Sequence, residues 1–427
     1  MRRNDIKLSL PTDTISPAHI PSVLTAAGTV VAFGTIYAAY ALYGFIGPTA
    51  AFVLLGATGV LTMLASALHG PALAGLGLVG AFAAPALISS TTPNFWPLAL
   101  YFAFVGGTAY ALARTRSWLW LALCAAAGGF AWGLAMILAV SFETAVPPAA
   151  NATPTLVHVL AQLGLAAFFL AYEPHLGRRD RDAYIDLVAL GTLAAMSLLV
   201  MGYLTAVPFD YWQWTPALLA TVGLLTLTGW LTASAAVAMV IGGLVVLFAL
   251  SIWPGLYLPP DQTLLAPYAA RVLRLPDNVS SYLTSSALWT LIPAAIAAYR
   301  IWRGPLLPVS VSSLYAAAAT LPVLLALVLS YLRVTQFDTS IAYALAATSL
   351  AAGYAIVAAH FDKADHDNSV RTYQFAAGAF AAAAIGALAF ASAASLSRGY
   401  LTVALALTAL GTAYVSTLRD LPLLRHV

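Results

Sequence analysis

Charge is what this chain has least of. Only 8% of its 427 residues are Asp, Glu, Lys or Arg, while 62% are apolar; a soluble domain carries roughly a quarter charged residues. Eighteen basic and 15 acidic side chains cannot coat a water-soluble fold of this size. A soluble enzyme, a disordered tail and a secreted domain are excluded, which leaves an integral membrane protein. Lysine is nearly missing: Lys7 and Lys363 are the only two, and the net charge of +3 rests on dispersed arginines. That is no nucleic-acid footprint. The single cysteine, Cys124, excludes an intrachain disulfide and a cysteine-based zinc cluster. Lying in an apolar run, it reads as a small buried side chain.

The marks of chemistry are missing too. There is no HExxH pair of zinc ligands on one helix face, no G-x-S-x-G nucleophile elbow and no Gly-Lys phosphate loop. No cofactor is expected. Period-two alternation is absent, which rejects a β-barrel. The first apolar segment is about 25 residues and follows a polar stretch that runs to His19. It is too long for the h-region of a cleavable signal, roughly 7–15 residues, and reads as a retained span.

What the chain does have is long apolar runs. About 20 residues at 1.5 Å each cross the roughly 30 Å of hydrocarbon in a bilayer, and there every backbone group must be paired, so each run is expected to be helical. The runs lie near 20–45, 48–68, 71–89, 95–113, 117–140, 155–172, 184–206, 215–230, 233–253, 283–299, 308–332, 339–360, 372–391 and 398–418. The expectation is an all-α polytopic membrane bundle of about fourteen spans. It has a cytoplasmic segment 1–19, a membrane domain 20–418 and a tail 419–427. The stretch 214–253 holds no charge, and as one helix it would reach about 60 Å, so it is divided near Thr228-Gly229-Trp230. Arginine placement supports the division. With fourteen spans, 14 of the 18 Lys and Arg fall on the side of the N-terminus; merging the two helices gives 12 against 6. Both termini are then expected in the cytoplasm.

Three outer segments stand out. Residues 141–154 are Pro/Ala-rich and read as irregular. Residues 207–214 (VPFDYWQW) set Tyr211, Trp212 and Trp214 around Asp210. These aromatics suit an interfacial belt or the wall of a site for a lipid-like ligand. In the long loop 254–282, Leu264, Leu265, Tyr268 and Val272 recur at helical spacing with Arg271 and Arg274 opposite, as in a helix lying in the headgroup layer. Two glycosylation sequons, at Asn151 and Asn278, read as chance, because the Ala- and Arg-heavy composition suggests a bacterium.

A charge near the bilayer centre costs at least ~2.5–3.5 kcal/mol and usually marks function. Here the middle of every run lacks one. Ion-driven pumping and voltage sensing lose weight accordingly. Asp186, near the start of the seventh run, can pair with Arg179 or Arg181 at the cytoplasmic face. His69-Gly70-Pro71, in the first cytoplasmic turn, either presents an imidazole to a ligand or caps a helix. His69, Asp186, Asp210, Tyr211, Trp212 and Trp214 are therefore the candidate contact residues. No catalytic and no metal-ligating set is expected.

The stretch IPSVLTAAGTVVAFGTIYAAYALYGFI, followed by LHGPALAGLGLVGAFAAPALISS, PNFWPLALYFAF and RTRSWLWLALCAAAGGFAWGL, resembles the bacterial membrane proteins grouped as DUF2339. His69-Gly70-Pro71 and Ala84-Pro85 fall where that family places them. The resemblance covers residues 20–136 and continues by hydropathy towards the C-terminus. It implies a large helical protein of the bacterial inner membrane, commonly preceded by a hydrophilic, often coiled-coil, part. It implies no activity and no site residues.

From the residues themselves, the first functional expectation is transport or flipping of a lipid-like or amphiphilic envelope molecule. The alternative is a non-catalytic scaffold for envelope proteins, and a membrane-embedded enzyme ranks third. The expected partners are membrane lipids and other envelope membrane proteins.

Overall fold

The computed structural model describes residues 20–88, 94–142, 149–171, 187–209, 211–255, 274–303, 307–336, 338–368 and 371–396. The fourteenth run, the segments 1–19 and 419–427, and the apolar stripe expected at 264–272 lie outside them. Within them the chain is helical: α1 Ile20–Ala41, α2 Pro48–His69, α3 Pro71–Leu87, α4 Phe95–Arg116, α5 Leu119–Phe142, α6 Ala149–Ala166, α7 Leu187–Ala206, α8 Tyr211–Leu231, α9 Val237–Ile252, α10 Val279–Arg303, α11 Val309–Thr335, α12 Ile341–Asn368 and α13 Arg371–Ser395. These thirteen match the first thirteen runs in order. Twelve of the described helices are long and apolar enough to cross a membrane. The exception, α3, has 17 residues and reaches about 25 Å. The protein is a polytopic helical membrane protein.

Two helix starts differ from expectation. The Pro/Ala-rich stretch is helical from Ala149, because alanine favours helix, with Pro154 accommodated inside it. The aromatic segment 207–214 is not all loop: Tyr211 to Trp214 form the first turn of α8. The division of 214–253 is seen directly. α8 ends at Leu231, Ala233–Ala235 make a 3-10 turn, and α9 begins at Val237. A Cβ on Gly229 would meet Met239, and one on Gly242 would meet Leu225. Residues equidistant from the turn thus face each other, which makes α8 and α9 an antiparallel hairpin.

The chain separates into two compact units, residues 1–129 and 130–427. In the first, side chains are small where helices approach most closely. A Cβ on Gly77 would lie 2.7 Å from the Gly59 carbonyl oxygen and 2.7 Å from the Met63 backbone nitrogen. Lipid tails are as apolar as leucine, so close backbone packing and shared hydrogen bonds hold such helices together. Thr29 and Thr62 supply one, with their hydroxyls 3.2 Å apart between α1 and α2. Tyr101 supplies another, donating to the Ala81 carbonyl at 2.7 Å. Replacing Gly77 by alanine should cost about 1–3 kcal/mol, because the new methyl meets backbone that cannot move aside. Thermal unfolding in detergent checks this, with Gly28→Ala as the control: nothing lies within 4 Å of that Cβ.

In the second unit, α11, α12 and α13 build an alanine-rich core around Tyr315, Tyr354, Phe361 and Phe380. The Tyr354 hydroxyl donates to the carbonyls of Ala319 and Thr320, and Tyr315 donates to Gly229. Gly243 of α9 lets Pro322 of α11 approach so closely that no Cβ fits between them.

Candidate functional site

In the second unit a groove of about 850 Å³ lies between α8 and α10. It follows from residue size. Gly223 on α8 and Ala295 on α10 leave the space between the walls unfilled, and nothing lies within 4 Å of a Cβ on Gly223. The α8 wall runs from Thr215 to Trp230 and the α10 wall from Thr284 to Tyr299. Each rises about 22 Å at 1.5 Å per residue. Leu219 and Ile292 on the rims are each 55% exposed, which places them towards lipid. Val222, Thr226, Ser285 and Trp289 form the buried floor.

Two hydroxyls in this groove are unusual. A threonine within a helix normally donates to the carbonyl four residues back. Thr221 and Thr228 do so, at 2.8 and 2.7 Å. Thr215 and Thr226 have no hydrogen-bond partner among the described residues. Pro293 adds an acceptor, because it has no N–H to bond the Trp289 carbonyl. The walls are therefore mostly hydrocarbon, with isolated polar groups at intervals.

At one end, Trp230 and Tyr299 stack with ring centroids 5.7 Å apart. Arg300 Nε donates to the Trp230 carbonyl at 3.2 Å. One turn further, the Arg303 guanidinium lies 4.9 Å from the Trp302 ring.

At the other end lies a buried arginine. Arg333 of α11 is 0% exposed. It donates through Nε to Arg274 (3.0 Å), through Nη1 to Leu250 (2.7 Å) and through Nη2 to Trp253 (2.7 Å), all backbone carbonyls. Two of these acceptors belong to the C-terminal end of α9. Helical carbonyls there lack partners and carry partial negative charge. Tyr282 lies beneath the guanidinium at 5.2 Å. Trp253 donates to Asp277 at 3.3 Å and packs against Phe209, Tyr282 and Trp289. Asn278 starts α10 beside this cluster, accepting from the Ser281 N–H at 3.0 Å. The sequence marks Arg333 only as one of the few outer-side charges; its partners come from the end of α9, from Arg274 and from α10.

A second polar group lies on α6. Asn151, Thr155, His158 and Gln162 are all buried and recur at helical spacing on one face. His158 packs against Gly133 of α5.

Of the six contact residues expected from sequence, two have described side chains. His69 belongs to the first unit, and its Nδ1 lies 2.9 Å from the Ala65 carbonyl of its own helix. Trp214 is 3% exposed and packs against Phe209 at 4.9 Å, inside the aromatic cluster. Asp186 and Asp210 lie outside the described residues, as do the side chains of Tyr211 and Trp212. Cys124, expected to be buried, is exposed. An apolar side chain on a membrane helix can face lipid as readily as protein.

A family model described as "Predicted membrane protein (DUF2339)" matches residues 2–427. No curated protein and no solved structure matches the chain.

Proposed function

The chain belongs to the DUF2339 family of predicted membrane proteins, and from that premise we propose that its α8–α10 groove carries the hydrocarbon part of an amphiphilic molecule across the bilayer. The observation that carries this reading is the groove itself: about 850 Å³, lined mostly by hydrocarbon and bounded by two membrane-length helices. Its wall length of about 22 Å covers much of the roughly 30 Å hydrocarbon core. A chain lying there stays in an apolar medium along the whole path. The Thr215 and Thr226 hydroxyls have no hydrogen-bond partner among the described residues. They can donate to the polar groups of a passing molecule, which lowers the cost of moving those groups through hydrocarbon.

The test uses a photoreactive residue at position 288, on the groove wall, with Leu345 as a lipid-facing control outside it. In proteoliposomes, lipid adducts at position 288 should exceed those at 345 several-fold. A fluorescent lipid should also move between leaflets faster than in empty vesicles. Equal adduct yields at both positions, with no acceleration, would overturn the reading.

A further inference from the structure

The two ends of the groove differ in charge. At the Arg333 end the one buried cation is committed to three backbone carbonyls. At the other end, Arg300 uses Nε on the Trp230 carbonyl, and its terminal nitrogens make no hydrogen bond or ion pair among the described residues. That single bond fixes the side chain against the end wall and leaves the fork of the guanidinium available. Arg303 is exposed and its only described partner is the Trp302 ring. Two cations one helical turn apart thus stand at the groove's mouth with no carboxylate paired to them among the described residues. Trp230, Tyr299 and Trp302 sit at the same level, which is where amphipathic rings collect at a membrane surface.

We propose that the Arg300–Arg303 end binds the negatively charged, phosphate-bearing headgroup of a lipid whose chain lies in the α8–α10 groove. This rests on the groove reading above and adds the substrate's charge and orientation to it. Guanidinium matches phosphate oxygens in a two-point geometry that an ammonium cannot reproduce. A zwitterionic headgroup brings its own cation towards the same two arginines and is disfavoured. The hydrocarbon then extends from the Trp230–Tyr299 plate along Leu227, Ile292 and Leu288.

The experiment uses the full chain with the photoreactive residue at position 288. The vesicles contain equal amounts of phosphatidylglycerol and phosphatidylcholine with identical acyl chains, and adducts are sorted by mass. Phosphatidylglycerol should exceed phosphatidylcholine by about fivefold or more, the weight of one well-placed arginine at an anionic surface. Arg303→Gln should reduce the preference and Arg300→Gln with Arg303→Gln should remove it, at unchanged total yield. Arg300→Lys, which keeps the charge without the two-point fork, should retain only part of it, but more than Arg300→Gln does. If Arg300→Gln does not fold, Arg303→Gln decides alone, because that side chain is exposed. Equal yields of the two lipids, with the total still above the position 345 control, overturn the headgroup assignment and leave the groove reading intact. A total no higher than the control overturns both. Loss of the preference on adding millimolar inorganic phosphate would make free phosphate the ligand and overturn the lipid assignment.

Discussion

Arg333→Ala is expected to destabilise the second unit by roughly 3–5 kcal/mol, the range for removing one partner of a buried charged network. The side chain is fully buried and bonds three carbonyls, two at the end of α9 and one at Arg274. Alanine leaves those acceptors without a donor in a place water does not reach, and opens a cavity among Trp253, Tyr282 and the end of α9. Hydrogen bonds to charged groups contribute about 1.5–3 kcal/mol each, and unmet acceptors add their desolvation cost. Arg333→Lys keeps the charge but not the fork, and a lysine cannot reach three diverging carbonyls. It should lose about half as much. Melting of the purified protein in detergent reads the effect, and Arg333→Ala should lower the midpoint by about 6 °C or more. A midpoint equal to that of the unmodified chain would show that the network holds nothing together.

Gly223→Phe should abolish lipid occupancy of the groove while leaving stability unchanged or slightly raised. Gly223 lines the groove, and no atom lies within 4 Å of its Cβ position. A side chain there starts into open space. Glycine within a helix is about 1 kcal/mol less favourable than alanine, so the exchange also removes a local weakness. Adducts at position 288 should fall more than about tenfold, the change expected when 1.4 kcal/mol or more of binding is lost. Gly243→Phe provides the contrast. Its Cβ would collide with Pro322, so it should damage the fold and say nothing about the groove. Undiminished adducts in a well-folded Gly223→Phe protein would mean that lipid reaches position 288 without entering the groove.

The helices were legible in the sequence because each had to satisfy its own backbone in an apolar medium. Length and hydropathy therefore located thirteen runs, including the uncharged stretch 214–253, where excess length alone demanded a turn. Misplaced ends such as Tyr211 and Ala149 fell where proline and aromatic residues resembled loop but were accommodated within a helix. The site was much less legible. His69 and Trp214 stood out as residue types near predicted ends, yet one bonds its own helix and the other packs inside an aromatic cluster. The groove carries no motif. It is lined by small residues such as Gly223 and Ala295 from two helices, and a small residue on one helix says nothing about what lies opposite it. Cys124 makes the same point in reverse: in hydrocarbon, an apolar residue carries no instruction to turn inward.

By itself, then, the order of residues determined that this chain threads a membrane as helices, where each one runs and that its mid-depths are free of charge. Those are local consequences of hydrogen bonding and transfer energy along one segment at a time. Which faces meet, which stay apart to leave a lipid-sized gap, and which arginine is locked while two others stand ready at a groove's mouth were decided by tertiary packing. They depend on side chains from segments distant in the chain, and no single segment's pattern encodes them.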